Sequence, residues 1–275
     1  MEECRRLALQ GYPEGTVVFA NSQKDGRGRF SRSWISPRGE NLQISILIRP
    51  SPQQLSHSNM SAALAISDAV EEITGQESQI KWPNDVEVLG KKIAGILVES
   101  EITNRNTSHA IIGIGLNVNL QPKLHGEIAD KATSLVELCQ RYVSRPQTLR
   151  VLMHHLNYYY DLVKNDISLL EMWEAKLNTL GKLISLSTQS GVVSGIAESI
   201  NEDGTINIRL DNDTIFTGSS GEVTMQRHFK STYRKIVFFT IQETGLRNQF
   251  PHHTFGDLKH YNQYYRRKIE HAGPG

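Results

Sequence analysis

The chain has 275 residues with 30 basic and 29 acidic side chains, so its formal net charge at pH 7 is only +1. This length can bury at least one substantial core, and we expect one large and one small domain. The balanced charge gives no overall sign of nucleic-acid or membrane binding. Two cysteines are too few for a disulfide framework or a zinc cluster, which favours a reducing compartment. The sequence shows no signal peptide or membrane span, so we expect a cytoplasmic location.

The first part of the chain predicts strands and helices that pack on one another. Residues 15–22 read as a strand, and 41–48 alternate apolar and polar residues, which predicts a second strand with one apolar face. A helix is expected to start with Ser51 as its N-cap and to end at Gly75. Further strands are expected in QIKW, DVEV, KKIAGILVES and HAIIGIGLNVN, and helices at about 133–141, 146–163 and 168–178.

The character of the sequence changes twice after residue 178. From about 179 to 226, short β-prone segments separated by turn signals predict a small β-barrel, with a boundary near Asn178. Residues 227–275 then hold nine basic against three acidic residues and nine of the twenty aromatic residues. We interpret this basic aromatic tail as appended sequence of unknown role, with RNA or partner binding as the alternative.

The segment KDGRGRFSRSW concentrates four cations on one glycine-containing loop, namely Lys24, Arg27, Arg29 and Arg32. Like charges at this spacing repel one another, and an anion would relieve that repulsion. Three interpretations are open: a solvated basic loop, a nucleic-acid contact, or a clamp for a small phosphate ligand, in which glycines let backbone N–H groups approach the anion.

Two further segments favour a small ligand. In KWPNDVEVLGKKIAGILVE, a lysine at the edge of an apolar strand can place a compact charge in a pocket, although Pro-Asn-Asp alone is also a common turn. In IIGIGLNVN, Gly113 and Gly115 share one face of a strand, which usually marks the close approach of a ligand or backbone. Asn117 adds a polar group on the same face.

In this order, the segments DGRGRFSRSWISPRGENLQIS, KWPNDV, GKKIAGILVE and GIGLNVN resemble the biotin protein ligase family, over roughly residues 2 to 226. The resemblance implies an α+β fold, with helices packed on a mixed sheet like that of class II aminoacyl-tRNA synthetases, and a small C-terminal SH3-like β-barrel. We accordingly expect a catalytic domain at 1–178, an SH3-like domain at 179–226 and the tail at 227–275. We also expect the form of the family that lacks an N-terminal DNA-binding domain.

The resemblance also implies roles for individual residues. Lys92, Arg29 and Arg32 are expected to be catalytic, and Asp85 is expected to hold a metal ion through water. The biotin-binding residues implied in this way are Gln23, Arg27, Gly28, Arg29, Trp34, Lys92, Gly113 and Gly115. The ATP-binding residues implied in this way are Arg27, Arg32, Lys81, Asn84, Asp85 and Asn117.

The implied activity is ATP- and Mg²⁺-dependent conversion of biotin to biotinyl-5′-AMP, followed by transfer to a lysine of a biotin carboxyl carrier domain. A lipoate-type ligase and a non-catalytic biotin- or nucleotide-binding remnant are the alternatives. A homodimer is left open, and neither DNA nor a membrane is expected as a partner. The family usually has a Ser-Thr-Asn-type segment before the first helix, whereas Met1 here falls inside that helix. From this we expect weak biotin binding.

Overall fold

The computed structural model describes residues 1–23, 26, 28, 34–103, 106–188 and 191–225. These residues all belong to one unit, Met1–Phe229. The basic aromatic tail lies outside the described residues, and so do Lys24, Arg27, Arg29 and Arg32 of the cationic loop. Predictions that concern those positions therefore stay predictions.

Six strands of the described chain form a first sheet. They are β1 (Val17–Ala20), β2 (Leu42–Ile48), β3 (Gln79–Lys81), β4 (Asp85–Val88), β5 (Lys91–Thr103) and β6 (Asn106–Leu116). Their spatial order is β1-β2-β6-β5-β4-β3, and all neighbours run antiparallel. Within the described residues, the parallel component of the predicted mixed sheet consists of two isolated bridges, Ile80 to Leu177 and Lys92 to Ala132.

Five α-helices accompany the strands in the described residues. They are α1 (Glu2–Leu9), α2 (Leu55–Thr74), α3 (Leu135–Cys139), α4 (Arg145–Lys164) and α5 (Leu170–Lys176), with a 3₁₀ turn at Pro122–Leu124. None of these helices combines the length and the apolar character that crossing a membrane requires.

Helix α2 begins later than the sequence predicts. Its N-cap is Gln54, whose backbone N–H donates to the Ser51 carbonyl at 3.1 Å, while the Ser51 N–H donates to Gln54 Oε1 at 3.0 Å. Ser51 and Pro52 therefore belong to a turn that precedes the helix, because these local bonds satisfy the backbone before the helix starts. The predicted end is confirmed: Gly75 is the C-cap, in the left-handed conformation with φ 67°.

The two faces of the first sheet are covered differently. Helix α2 is buried along most of its length in the main core, against residues such as Ile44, Ile112 and Ile114. On the opposite face, Cys4 and Ala8 of α1 pack on Leu47, near the end of β2, and on Ile111, in the middle of β6. The sequence predicts a single apolar face for β2, but all seven of its residues are buried.

A second sheet follows the helices. Its strands are β7 (Leu183–Thr188), β8 (Gly191–Ile200), β9 (Ile206–Arg209), β10 (Ile215–Gly218) and β11 (Glu222–Met225), in the spatial order β10-β9-β8-β7-β11. The predicted boundary near Asn178 lies in the connection between α5 and β7. The two sheets are joined by Trp82, whose Nε1 donates to the Gly204 carbonyl at 2.9 Å, and by Asn178, whose Nδ2 donates to Glu87 Oε2 at 3.0 Å.

Glu14 fastens the start of β1 to the rest of the unit. Its Oε1 accepts hydrogen bonds from the Arg49 N–H at 2.8 Å and the Tyr160 hydroxyl at 2.6 Å, and its Oε2 accepts one from Lys164 Nζ at 2.7 Å. Partial burial raises the pKa of Glu14, but the hydrogen bonds from Lys164, Tyr160 and Arg49 outweigh burial and hold the pKa below its ordinary value.

Replacing this carboxylate should cost stability in a pH-dependent way. Because folding lowers the pKa of Glu14, its contribution is complete above the unfolded-state pKa and is lost as the pH falls through the folded-state pKa. We expect Glu14→Gln to lower the free energy of unfolding by about 1–2 kcal/mol at pH 7. Urea unfolding should show this difference shrinking as the pH falls below 4.5, the ordinary pKa of the group. Glu77→Gln, at an exposed position, is the control and should change little; a pH-independent loss at Glu14 would contradict the electrostatic explanation.

Candidate functional site

A cavity of about 670 Å³ lies over the part of the first sheet that α1 leaves uncovered. Its walls come from both sheets, from the segment around residues 127–132 and from Trp34. The residues that form its floor and polar rim are Met1, Gln23, Gly28, Trp34, Gln43, Ser45, Lys81, Asn84, Asp85, Lys92, Gly95, Gly113, Gly115, Asn117, Glu127, Lys131 and Glu222. The described members of the predicted site are thus brought together in one place.

Glycines keep the floor of the cavity free of side chains. In the strand register, Gly115 lies directly between Gly95 of β5 and Gln43 of β2. A Cβ atom on Gly115 would stand 2.5 Å from Cε2 of Trp34, and one on Gly113 would stand 2.8 Å from Sδ of Met1. Both distances are too short for real contacts, so these glycines allow the close approach that their spacing indicates.

The ammonium group of Lys92 stands beside the glycine floor. Its Nζ pairs with Asp85 Oδ1 at 2.7 Å and lies 5.6 Å from the centroid of the Trp34 ring. A Cβ on Gly95 would come within 3.2 Å of the Lys92 Nζ, so this glycine also makes room for the amine. The Lys92 side chain is 36% exposed, so an anion that enters the cavity can reach it.

The backbone of Lys92 is held from both sides. Its N–H donates to the Lys131 carbonyl at 2.8 Å, and its own carbonyl accepts from the Thr133 N–H at 2.9 Å. The register of β4 and β5 also shifts between Val86 and Glu87, opposite this position. Because main-chain bonds fix the start of the side chain, the amine is presented to the cavity from a rigid base.

The turn that follows β3 places Lys81 and Asp85 at the cavity edge. These two residues are directly paired across β3 and β4. Asn84 fastens the turn to β5, because its Nδ2 donates to the Ile96 carbonyl at 2.6 Å and its own carbonyl accepts from the Ile96 N–H at 2.9 Å. Trp82, which is 2% exposed, anchors the turn from the other side. Pro-Asn-Asp is therefore a turn, and it also carries groups of the site.

Asn117 lines the cavity but is already engaged in the fold. It is 3% exposed, its Nδ2 donates to the Thr133 carbonyl at 3.0 Å, and its Oδ1 accepts from Asn41 Nδ2 at 3.3 Å. Its backbone N–H donates to the Ile93 carbonyl at 2.9 Å. These bonds hold the segment that follows β6, so any part of Asn117 in nucleotide binding adds to a structural role.

The described part of the cationic loop reaches the cavity at both ends. Gln23 and Gly28 line it. The backbone N–H of Trp34 donates to the Gly26 carbonyl at 2.8 Å and closes a turn. The Trp34 ring lies on Gly115, and its Nε1 is buried without a hydrogen-bond partner among the described residues. The resemblance implies that Trp34 binds biotin, and its indole here covers the glycine floor itself.

Several cavity residues were missed by the sequence analysis. Gly95 carries the same signal as Gly113 and Gly115, a glycine inside a strand, and could have been found from it. Gln43 and Ser45 are among the polar residues that alternate with the apolar residues of β2. Alternation alone would assign them to a solvent-exposed face. The segment around 127–132 and the contribution of β11 have no local signal, because only the tertiary fold brings them to the site.

The acidic residues of the cavity suit a hydrated magnesium ion better than a fully protein-bound metal. Among the described residues, no group of three or more His, Cys, Asp and Glu side chains could hold a metal ion. Asp85, Glu127 and Glu222 all line the cavity. Magnesium usually keeps several waters and uses one or two carboxylates plus substrate phosphates, so these residues fit it.

Comparison with known proteins agrees with the features of this cavity. A family model described as the biotin/lipoate A/B protein ligase family matches residues 4–117. The chain is 34% identical over 205 residues to the bifunctional ligase/repressor BirA of Bacillus subtilis, covering 73% of this chain and 63% of that protein. It is 31% identical over 222 residues to the biotin–[acetyl-CoA-carboxylase] ligase of Paracoccus denitrificans, covering 75% of this chain and 89% of that one.

A solved structure gives the same result. The biotin protein ligase of Aquifex aeolicus, in complex with biotin and ATP, superposes with a TM-score of 0.69 and 30% identity, covering 82% of this chain and 94% of that one. The two sheets and few helices described above are therefore a biotin protein ligase fold. With the sequence matches, this shows that the chain belongs to the biotin/lipoate protein ligase family, among the biotin protein ligases.

Proposed function

We propose that this protein activates biotin with ATP as biotinyl-5′-AMP and transfers the biotinyl group to a lysine of a biotin carboxyl carrier domain. The observation that carries this proposal is the Lys92–Asp85 pair beside a side-chain-free floor, in one cavity of a family member. The floor offers room for a flat ligand, and the cation offers a partner for an anion. The relative from Aquifex aeolicus was solved with biotin and ATP.

In the first step, a biotin carboxylate oxygen attacks the α-phosphorus of ATP, a new O–P bond forms, and pyrophosphate leaves. Both reactants are anions, so their mutual repulsion opposes the approach. The Lys92 ammonium is placed to stabilise the charge that spreads over the transferring phosphoryl group, where a fixed cation is most effective. The expected contributions of Arg29 and Arg32 stay predictions, since both residues lie outside the described chain.

Magnesium, when bound, would neutralise charge on the phosphates and the departing pyrophosphate. Asp85 would hold it through water, with Glu127 or Glu222 as further carboxylates on the same cavity. Asp85 meanwhile keeps the Lys92 amine in place through their 2.7 Å contact. Lys81, Asn84 and Asn117 lie on this side of the cavity, and we assign them to the nucleotide.

In the second step, the neutral amine of a carrier lysine attacks the acyl carbon of biotinyl-5′-AMP, an amide bond forms, and AMP leaves. The mixed anhydride would also react with water, so the cavity must exclude solvent until the carrier arrives. Trp34 already lies against the floor at Gly115, and we assign it the same covering role when ligand is present. We assign the second sheet to the SH3-like C-terminal domain, because its five strands fall within the expected range 179–226. Its last strand, β11, reaches the cavity rim through Glu222 and Val223.

The family resemblance also supports the identity of the protein substrate. The name of the Paracoccus denitrificans relative includes acetyl-CoA carboxylase, which supports a carrier domain of that type as the protein substrate. The lack of a DNA partner and the cytoplasmic location stay predictions, and a homodimer stays open.

The activity can be tested with the purified full chain, a biotin carboxyl carrier domain, biotin and MgATP. A streptavidin blot should show ATP-dependent labelling of the carrier and none when its target lysine is replaced by arginine. Since the family model also covers lipoate ligases, a parallel reaction with lipoate and a lipoyl-accepting domain is needed, with labelling read as the mass increase of that domain. Labelling only in the lipoate reaction, or in neither, would refute the proposal.

Lys92 should matter for the chemical step. We expect Lys92→Ala to lower biotin-dependent ATP–pyrophosphate exchange at least about a hundredfold, because the interaction it loses is strongest in the transition state. Circular dichroism should show an unchanged fold, since a partly exposed ion pair contributes little stability. Lys91→Ala, one residue earlier and outside the cavity lining, should retain activity. Near-normal exchange in Lys92→Ala would remove Lys92 from the reaction.

The glycine floor should be intolerant of even one methyl group. We expect Gly115→Ala to weaken biotin binding at least about tenfold, because a Cβ there occupies the space that the floor leaves open and displaces the Trp34 ring. Isothermal titration calorimetry would measure this loss. Gly126→Ala is the matched control, since a Cβ at Gly126 meets nothing within 4 Å. Equal affinities for the two variants would show that the ligand does not use this floor.

A further inference from the structure

The amide of Gln43 is buried in the cavity wall and has no partner among the residues that the structure describes. The residue is 3% exposed and lines the cavity. Neither Nε2 nor Oε1 forms a hydrogen bond with any described residue. A buried amide that leaves both its donor and its acceptor unpaired destabilises the fold, so a group that pairs with both would be bound favourably.

The strand register gives Gln43 a defined place relative to the rest of the site. Gln43, Gly115 and Gly95 form one row across β2, β6 and β5, so their side-chain positions face the same side of the sheet. Lys92 Nζ lies against Gly95 at the other end of this row. Neighbouring strands lie 4.7–4.9 Å apart, so about 10 Å of floor separates the Gln43 end from the Lys92 end.

The two ends differ in what they can bind. The Lys92 end carries a cation and attracts an anion, whereas the Gln43 end presents one neutral donor and one neutral acceptor. A cyclic urea offers the complement of a primary amide, because its N–H can donate to Oε1 while its carbonyl accepts from Nε2. A hydrocarbon tail offers neither group and would leave the amide unpaired.

We propose that Gln43 is a specificity-determining residue that pairs with the urea ring of the ligand, in a site whose other end holds the carboxylate at Lys92. This rests on the proposed function, since biotin carries a urea ring at one end and a carboxylate at the other. It adds Gln43 to Gln23, which the family resemblance assigns to biotin binding. In this structure the indole of Trp34 lies on the intervening Gly115. A ligand that binds on the floor would displace this ring from Gly115.

This assignment explains why a polar residue occupies a buried position of β2. Its neighbours on the strand, Leu42 and Ile44, belong to the main core on the opposite face. An apolar residue of similar size at position 43 would avoid the unpaired amide and would pack at least as well. A polar residue that costs stability in this wall is better explained by recognition than by folding.

The test compares the native chain with Gln43→Met, which keeps the side-chain length and removes both polar atoms. The ligands are biotin and 2-iminobiotin, whose guanidinium head presents donors where the urea presents a carbonyl acceptor. Calorimetry gives the affinities, and ATP–pyrophosphate exchange gives kcat and KM for each ligand. Gln79→Met, the same substitution at an exposed position of β3 outside the cavity, is the matched control.

We expect Gln43→Met to weaken biotin binding about ten- to a hundredfold, to change 2-iminobiotin binding less than about threefold, and to leave the melting temperature equal or higher. The native preference for biotin over 2-iminobiotin should therefore collapse in this variant and persist in Gln79→Met. A purely structural role for Gln43 would instead weaken both ligands together and lower the melting temperature.

The outcomes separate the two proposals. An unchanged biotin-to-iminobiotin preference in a folded Gln43→Met protein overturns the role of Gln43 and leaves the ligase proposal standing. A native chain that binds biotin but forms no adenylate overturns the enzymatic function, while the selectivity ratio still decides the role of Gln43. A native chain that binds no biotin overturns both.

Discussion

The repulsion between two anions is the constraint on which the architecture of this cavity depends. Under the proposed chemistry a carboxylate must approach a phosphate, and the Lys92 ammonium stands where both can meet it. Its 2.7 Å pairing with Asp85 is partly exposed and contributes little to stability, so its value lies in position. An amine held in place before the ligand arrives needs no reorganisation during the reaction.

Residues in and next to the second sheet help to hold the Lys92–Asp85 pair in position. The turn that carries Lys81 and Asp85 is tied down by Trp82, whose backbone N–H donates to Thr179 Oγ1 at 3.0 Å and whose Nε1 donates to the Gly204 carbonyl. Because Trp82 is almost fully buried, the turn cannot swing away without breaking this packing. The position of the ion pair therefore depends on residues that lie 97 and 122 positions after Trp82 in sequence.

Much of this arrangement could be predicted from local sequence, and the rest depends on tertiary contacts. Gly75 ended α2 as expected because a left-handed C-cap is a local property, whereas the start of α2 was misplaced because Ser51 and Gln54 close a turn of their own. The spacing of Gly113 and Gly115 predicted a close approach, which Trp34 and Met1 make. Sequence could not show that the face of β2 that carries Gln43 is buried, because the segments that cover this face are distant in sequence.

The existence of the cavity follows from a mismatch of lengths. Helix α1 has eight residues and spans about 12 Å at 1.5 Å per residue, whereas the eleven residues of β6 extend for about 37 Å. A helix that short covers only part of this face, where Cys4 and Ala8 pack on Leu47 and Ile111 and where Met1 lies against Gly113. The face beyond Gly113 needs another cover, which the chain supplies through Trp34 and the rim of the second sheet. Since a ring resting on glycine is held by no side chain beneath it, this cover can give way to a ligand where a packed helix could not.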